Sequence, residues 1–253
     1  MVNEWEISIP QLTGERARRV SVYLPDDYDW TGRRYPVMYM FDGQNVFFDS
    51  EATYGKSWGV GEYLDGTHTK IIVAAVECDT KGNGRLSEYS PVDFFMQDGT
   101  AIFGRGKIYM DWLTTEFKPF IDANFRTLPS RANTIIAGSS MGGLMSLYAV
   151  CSYNKIFSKA AALSPSLWVN GGLPEFVKEA RFGLNTNIYM DYGSKEFSNH
   201  SRQRELFAKT SSALINKGAF VTTRVVPYGT HCEASWEKQI PFFMNALGFA
   251  GEY

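Results

Sequence analysis

The sequence predicts an α/β fold in a single domain, residues 1–253, with a mostly parallel sheet of about eight strands and helices on both faces. Three observations carry that expectation. Several apolar runs are continuous rather than alternating, as suits strands buried on both faces of a parallel sheet. Helical segments separate the runs, which gives the strand-then-helix repeat of a doubly wound sheet. Gly- and Asn-rich stretches follow several runs, where the carboxyl ends of the strands would carry ligand-binding loops.

The elements follow in chain order. Trp5–Ile9 and Arg19–Leu24 alternate, with Pro25 stopping the second, and both read as antiparallel edge strands. The continuous runs are Val37–Phe41, Ile71–Ala75, Thr134–Ala137 and Ala160–Leu163, and Asn187–Asp191 and Thr222–Val226 complete the sheet. Helices are expected over Lys107–Ala123, Gly142–Ser152, Pro174–Ala180, Arg202–Asn216 and Glu233–Leu247, with Asn216-Lys217-Gly218 as a C-cap. The Gly/Asn-rich loops are Asp42-Gly43-Gln44-Asn45, Lys81-Gly82-Asn83-Gly84 and Asp98 through Gly106.

Composition narrows the function classes. With 253 residues, 44% hydrophobic and 21% charged, the chain has the apolar content for a sizeable core. The net charge is −2 and the 25 basic residues are scattered, so no nucleic-acid footprint is visible. Aromatics reach 15%, which suits sugar or aryl ligands as well as it suits a core. Cys78, Cys151 and Cys232 show no CxxC spacing and no His-Glu-x-x-His occurs, so neither a disulfide framework nor a metal site is expected, and no cofactor is called for. The start Met1-Val2-Asn3-Glu4-Trp5-Glu6 is unlike a signal peptide and no run of ~18 apolar residues exists, so a cytoplasmic protein without membrane contact is expected.

Gly138-Ser139-Ser140-Met141-Gly142-Gly143 follows an apolar run and opens a helical segment, the context that a G-x-S-x-G nucleophile elbow requires. A tight turn projects the Ser140 hydroxyl, and glycine on either side lets neighbouring backbone pass close by. The plainer reading is a Gly-rich turn. A serine needs a base within hydrogen-bond reach and a third group to orient that base. Of three histidines, His68 precedes the elbow, and His200 leaves little room for an acid on its own strand end. His231 lies past the last strand and before the last helix, where the order Ser, acid, His places the base.

Two carboxylates surround the end of the penultimate strand. Reach to the imidazole favours the loop residue Glu196 as the acid, with Asp191 as the rival or as a group holding the loop by local hydrogen bonds. For the oxyanion, one donor is the Met141 amide and the second comes from the loop after the third strand, where Gln44 is the candidate with Asn45 behind it. Asp42-Gly43 is equally the start of a simple turn. Gly82-Asn83-Gly84-Arg85-Leu86-Ser87 and Gly104-Arg105-Gly106-Lys107 fall short of nucleotide-binding motifs.

These residues resemble the esterase branch of the α/β-hydrolases that includes feruloyl and acetyl-xylan esterases, siderophore esterases and the esterase D type. The resemblance rests on Tyr39–Asn45, Arg85–Pro91, Gly138–Gly143, Leu163–Trp168, Tyr192–Glu196 and Gly229–Trp236. It implies an α/β-hydrolase fold with Ser140, Glu196 and His231 as the triad, although many relatives carry Asp at the acid position. It also implies that Arg85, Glu88, Tyr89 and Trp168 border the substrate cleft, an Arg85–Glu88 ion pair being the structural alternative. The expected reaction is serine-dependent hydrolysis of a carboxylic ester on a small molecule or oligosaccharide, such as an acetyl or feruloyl ester. The alternatives are a siderophore or lactone esterase, an acyltransferase with the same triad, and a non-catalytic binding scaffold.

Overall fold

The structure, a computed structural model, describes residues 1–169, 175–196 and 201–249. Eight strands form one sheet: β1 (Val2–Ile9), β2 (Gly14–Tyr23), β3 (Val37–Met40), β4 (Ile72–Val76), β7 (Thr134–Ser139), β8 (Lys159–Leu163), β9 (Asn187–Gly193) and β10 (Phe220–Val226). A separate two-stranded ribbon pairs β5 (Phe94–Phe95) with β6 (Ala101–Ile102). The order in the large sheet is β1-β2-β4-β3-β7-β8-β9-β10, antiparallel through β1, β2 and β4 and parallel from β4 to β10. Of the two strands expected at the edge, only β1 lies there. β2 pairs on both sides, with β1 and with β4.

The continuous apolar runs are explained by two separate cores. Val37 and Tyr39, Ile72 and Ala74, Ile136, and Ile188 and Met190 point to one face. Met38 and Met40, Val73 and Ala75, Ile135 and Ala137, and Tyr189 point to the other. Because successive strand residues alternate faces, burial on both sides demands an unbroken apolar string. The first face is covered by the helices Gly106–Trp112, Lys118–Asn124 and Met141–Ser152. The second is covered by Val60–Gly66, Glu233–Glu237 and Ile240–Ala246.

Two expected helices are interrupted. The segment 106–124 widens into a π-helical turn at Leu113–Phe117 before continuing at Lys118. Pro119 has no N–H for a preceding carbonyl, and the Thr114 and Thr115 hydroxyls donate to the Met110 and Asp111 carbonyls at 2.7 and 2.8 Å. In the last segment the helix ends at Glu237 and resumes at Ile240, with Pro241 in the new first turn. The helices Val60–Gly66 and Gly84–Glu88 were not foreseen. The start of the expected Pro174–Ala180 helix lies outside the described residues; the described part runs from Glu175 to Glu179.

Glu88 and Tyr89 sit in the interior rather than at a cleft border, which corrects the expectation for both. The Glu88 side chain is 3% exposed and pairs with Arg18, not Arg85, at 2.8 Å, and it also accepts from the Asp79 amide at 2.7 Å. Tyr89 is fully buried and its hydroxyl accepts from the Asp42 amide at 3.1 Å. Nothing local in sequence couples Arg18 to Glu88; strand β2 and the helix Gly84–Glu88 that follows β4 bring them together. Glu88→Ala leaves the Arg18 guanidinium buried without its counter-ion and should lower unfolding free energy by about 3–5 kcal/mol. The joint replacement Arg18→Met with Glu88→Leu should recover part of that loss in the same chemical denaturation series, because no charge is then stranded.

Candidate active site

Ser140 stands between β7 and the helix Met141–Ser152 with φ 57° and ψ −119°, a conformation that L-residues rarely adopt. The glycines around it are dictated by contact rather than by freedom of φ. A Cβ on Gly138 would stand 2.8 Å from the Gly142 carbonyl carbon, one on Gly142 2.9 Å from Phe41 Cβ, and one on Gly143 2.8 Å from the Leu163 carbonyl oxygen. The turn is pinned to the neighbouring strand by the Ser140 amide donating to Leu163 O (2.9 Å) and by the Ser166 amide donating to Ser140 O (3.0 Å). Ser166 also brings its Oγ to 3.3 Å from that of Ser140.

The candidate base and acid arrive from two loops locked together. The end of β9 and the loop after β10 approach so closely that a Cβ on Gly193 would lie 2.3 Å from the Gly229 carbonyl group. The Lys195 amide donates to Gly229 O at 2.9 Å, and that contact sets Glu196 facing His231. Glu196 Oε2 lies 3.0 Å from His231 Nδ1. Its other oxygen accepts from the Gly193 amide and from Ser164 Oγ, both at 2.6 Å, and Ser164 Oγ in turn accepts from Trp236 Nε1 at 2.9 Å. The carboxylate is 1% exposed while the imidazole, edge-on to Trp236, is 41% exposed, so Glu196 is buried behind a histidine that reaches solvent.

Asp191 is directed elsewhere. Its oxygens accept from the Ser164 amide (3.1 Å) and the Tyr189 hydroxyl (3.0 Å) inside the sheet. His68 is a surface residue beside Asp26. His200 lies outside the described residues.

Gly43–Asn45 forms a short 3₁₀ turn after β3, opened by Asp42 in the left-handed region at φ 59°. The Gln44 side chain fastens this turn: its Oε1 accepts from the Cys78 amide (3.2 Å) and its Nε2 donates to Thr53 Oγ1 (3.3 Å). The amides of Gln44 and Met141 each belong to the first turn of a helical segment, where backbone N–H groups lack a partner within the helix. Arg85 clamps Asp42 through Nε and a terminal nitrogen at 2.5 and 2.7 Å, a partner that the sequence did not suggest.

Ser140, His231, Gln44 and Arg85 line one cleft of about 550 Å³, together with Glu233 and Trp236. Trp168 stands outside that lining, half-exposed, with its ring edge-on to Phe94 of the β5–β6 ribbon at 5.6 Å. A second hollow of similar size, lined by Tyr153, Phe176 and Arg181 among others, contains none of the candidate catalytic residues. Sequence reasoning missed Ser164, Ser166 and Glu233. They fall inside runs that resemble the esterase branch, but only the crossing of loops reveals their contacts. Among the described residues no cluster of His, Cys, Asp and Glu could hold a metal ion, and no helix is long and apolar enough to cross a membrane.

Burial pushes the Asp191 carboxyl up to about 7, above the unfolded value of roughly 3.9. Between those values the folded state holds the extra proton, so this group stabilises the fold at low pH and that contribution is lost as pH rises through about 7. Asp191→Asn removes the ionisation and keeps the shape. The melting temperature of the variant relative to wild type should therefore climb from pH 4 to about pH 7 and level off above it; a constant difference across that range would contradict the assignment.

Comparison with known proteins agrees with the fold. Residues 12–245 match the family described as "Putative esterase". The chain is 25% identical over 200 residues to the protein YbbA of Bacillus subtilis, covering 76% of this chain and 75% of that one. It is 26% identical over 139 residues to the siderophore triacetylfusarinine C esterase of Aspergillus fumigatus, covering 53% of this chain but only 45% of that enzyme. Among solved structures, an IroE-like serine hydrolase from Shewanella oneidensis superposes with a TM-score of 0.73 at 21% identity, covering 93% of this chain and 77% of that one. The strand order, the parallel sheet and the family match together place the chain in the esterase family, a carboxylic ester hydrolase with the α/β-hydrolase fold.

Proposed function

We propose that residues 1–253 act as one catalytic domain in which Ser140, His231 and Glu196 hydrolyse a carboxylic ester through an acyl-enzyme. The observation that carries this reading is a serine on a strained strand-to-helix turn sharing a cleft with a histidine whose Nδ1 is 3.0 Å from a buried glutamate. Ser140 Oγ attacks the carbonyl carbon while His231 Nε2 takes its proton. Glu196, fixed by three hydrogen bonds, holds the imidazole with Nδ1–H toward itself and steadies the imidazolium. The tetrahedral oxyanion accepts from the Gln44 and Met141 amides. Collapse breaks the carbon–oxygen bond, His231 returns the proton to the departing alkoxide, and water then releases the acid by the same route.

For the substrate we favour an acetyl or aryl ester carried by a small molecule or an oligosaccharide. What supports an aryl or sugar ester is the aromatic content of the chain, 15% of its residues, which includes a half-exposed Trp168 ring beside Phe94. A siderophore ester is the second reading, favoured by the name of the Aspergillus relative.

Ser140→Ala should lower turnover of p-nitrophenyl acetate by several powers of ten. Glu196→Gln should approach the ten-thousand-fold loss known for the acid of such triads, while Asp191→Asn stays within a few-fold of wild type. Retention of full activity by Ser140→Ala would end the nucleophile assignment, and a larger loss at Asp191 than at Glu196 would reassign the acid. Methyl ferulate, acetylated xylo-oligosaccharide and a siderophore ester, assayed side by side with the wild type, rank the two substrate readings.

A further inference from the structure

The cleft contains one carboxylate that the triad does not use. Glu233 is 6% exposed yet lines the same cleft as Ser140 and His231. Its Oε1 accepts from Asn45 Nδ2 at 3.2 Å. Among the described residues no Lys or Arg forms an ion pair with it, and the nearby Arg85 is committed to Asp42 by two hydrogen bonds. A carboxylate desolvated this far with a single neutral side-chain donor retains accepting capacity that an incoming donor can use.

We infer that Glu233, with Asn45 beside it, is a specificity-determining residue that accepts a hydrogen bond from a hydroxyl on the alcohol half of the ester, so that esters of polyhydroxylated alcohols are preferred. The inference rests on the ester-hydrolase reading of the Ser140 cleft.

The side of the ester follows from proton delivery. His231 hands its proton to the departing alkoxide, so groups beside His231 border the alcohol and not the acyl chain. Glu233 comes two residues after His231, in the first turn of the helix Glu233–Glu237. The type of donor follows from charge. Burial raises the Glu233 carboxyl above its usual range, and in either protonation state it keeps an oxygen that accepts from a neutral hydroxyl. The neighbouring Asp42 and Arg85 are paired with each other, so the two together add no net charge that would draw an ammonium group to Glu233. Thr53 and Thr80, also in the lining, are neutral hydroxyls of the kind that share hydrogen bonds with a polyol.

The alternative role is structural: Asn45 Oδ1 accepts from the Thr53 amide at 2.9 Å, so Glu233 could only tie the loop that carries the base to the turn after β3. Paired substrates separate the two roles. Glycerol 1-acetate and propyl acetate share the acyl group and nearly the same leaving group and differ in two hydroxyls, and acetylcholine offers a cation instead. Wild type should prefer glycerol 1-acetate in kcat/KM. Glu233→Leu should cut that preference by roughly tenfold or more, chiefly through KM for the glycerol ester, and Glu233→Gln should cut it a few-fold by removing charge assistance. If Glu233→Leu does not fold, the isosteric Gln variant carries the comparison. Equal losses on glycerol and propyl esters would make Glu233 a structural tie and overturn the inference. A wild-type preference for acetylcholine that Glu233→Gln abolishes would also overturn it, since the carboxylate would then read charge. Failure of the wild type on all three esters and on p-nitrophenyl acetate would instead defeat the hydrolase reading on which the inference stands.

Discussion

The turn at Ser140 is the constraint on which the rest depends. A serine held at φ 57° and ψ −119° costs of order 1–3 kcal/mol and persists only where its surroundings leave no alternative. Those surroundings are the strand β7 on one side, a helix buried along most of its length on the other, and the backbone of β8 beneath. Gly138, Gly142 and Gly143 are the residues that let these three meet, since a methyl group at any of them would collide with backbone or with Phe41. The two apolar layers of the sheet supply the burial that makes the strained geometry the only compact one.

A second close approach fixes the other half of the site. Gly193 and Gly229 are the points where two adjacent parallel strands, β9 and β10, release their loops against each other. A side chain at either would separate the loops, and the Glu196–His231 distance is set by that separation. The hydrogen-bond chain Trp236–Ser164–Glu196–His231 then draws on β8, the loop after β9 and the last helical region at once. Geometry of this kind is over-determined, and it resists the drift of a single loop.

What was legible in the sequence follows from what is local. The two-faced strands were visible because burial on both sides forces an unbroken apolar string, and the elbow because its glycines are adjacent to the serine in the chain. That Glu196 would face His231 was readable from chain order for the histidine and from reach for the carboxylate, since topology fixes which loops share an end of the sheet. The Arg18–Glu88 and Arg85–Asp42 pairs were not legible: they join residues 70 and 43 positions apart, and a local reading joins Arg85 to Glu88 across one turn instead. The π-turn at Leu113–Phe117 and the break before Ile240 each lie just ahead of a proline, Pro119 and Pro241, that apolar periodicity runs straight through.

The paired charges explain how an acidic neighbourhood coexists with the histidine proposed as the base. Asp42 lies at the start of the turn that carries the Gln44 amide, the proposed oxyanion donor, and a free carboxylate there would oppose negative charge developing on that oxyanion. Arg85 cancels it at the source, through two short contacts that also hold the turn against the segment after β4. Asp79 is likewise paired, with Arg16. Glu196 is committed to the imidazole and to two other donors. Glu233 is then the cleft carboxylate left without an ion pair among the described residues, and on the proposed reading hydrogen bonding there, rather than long-range attraction, would discriminate between substrates.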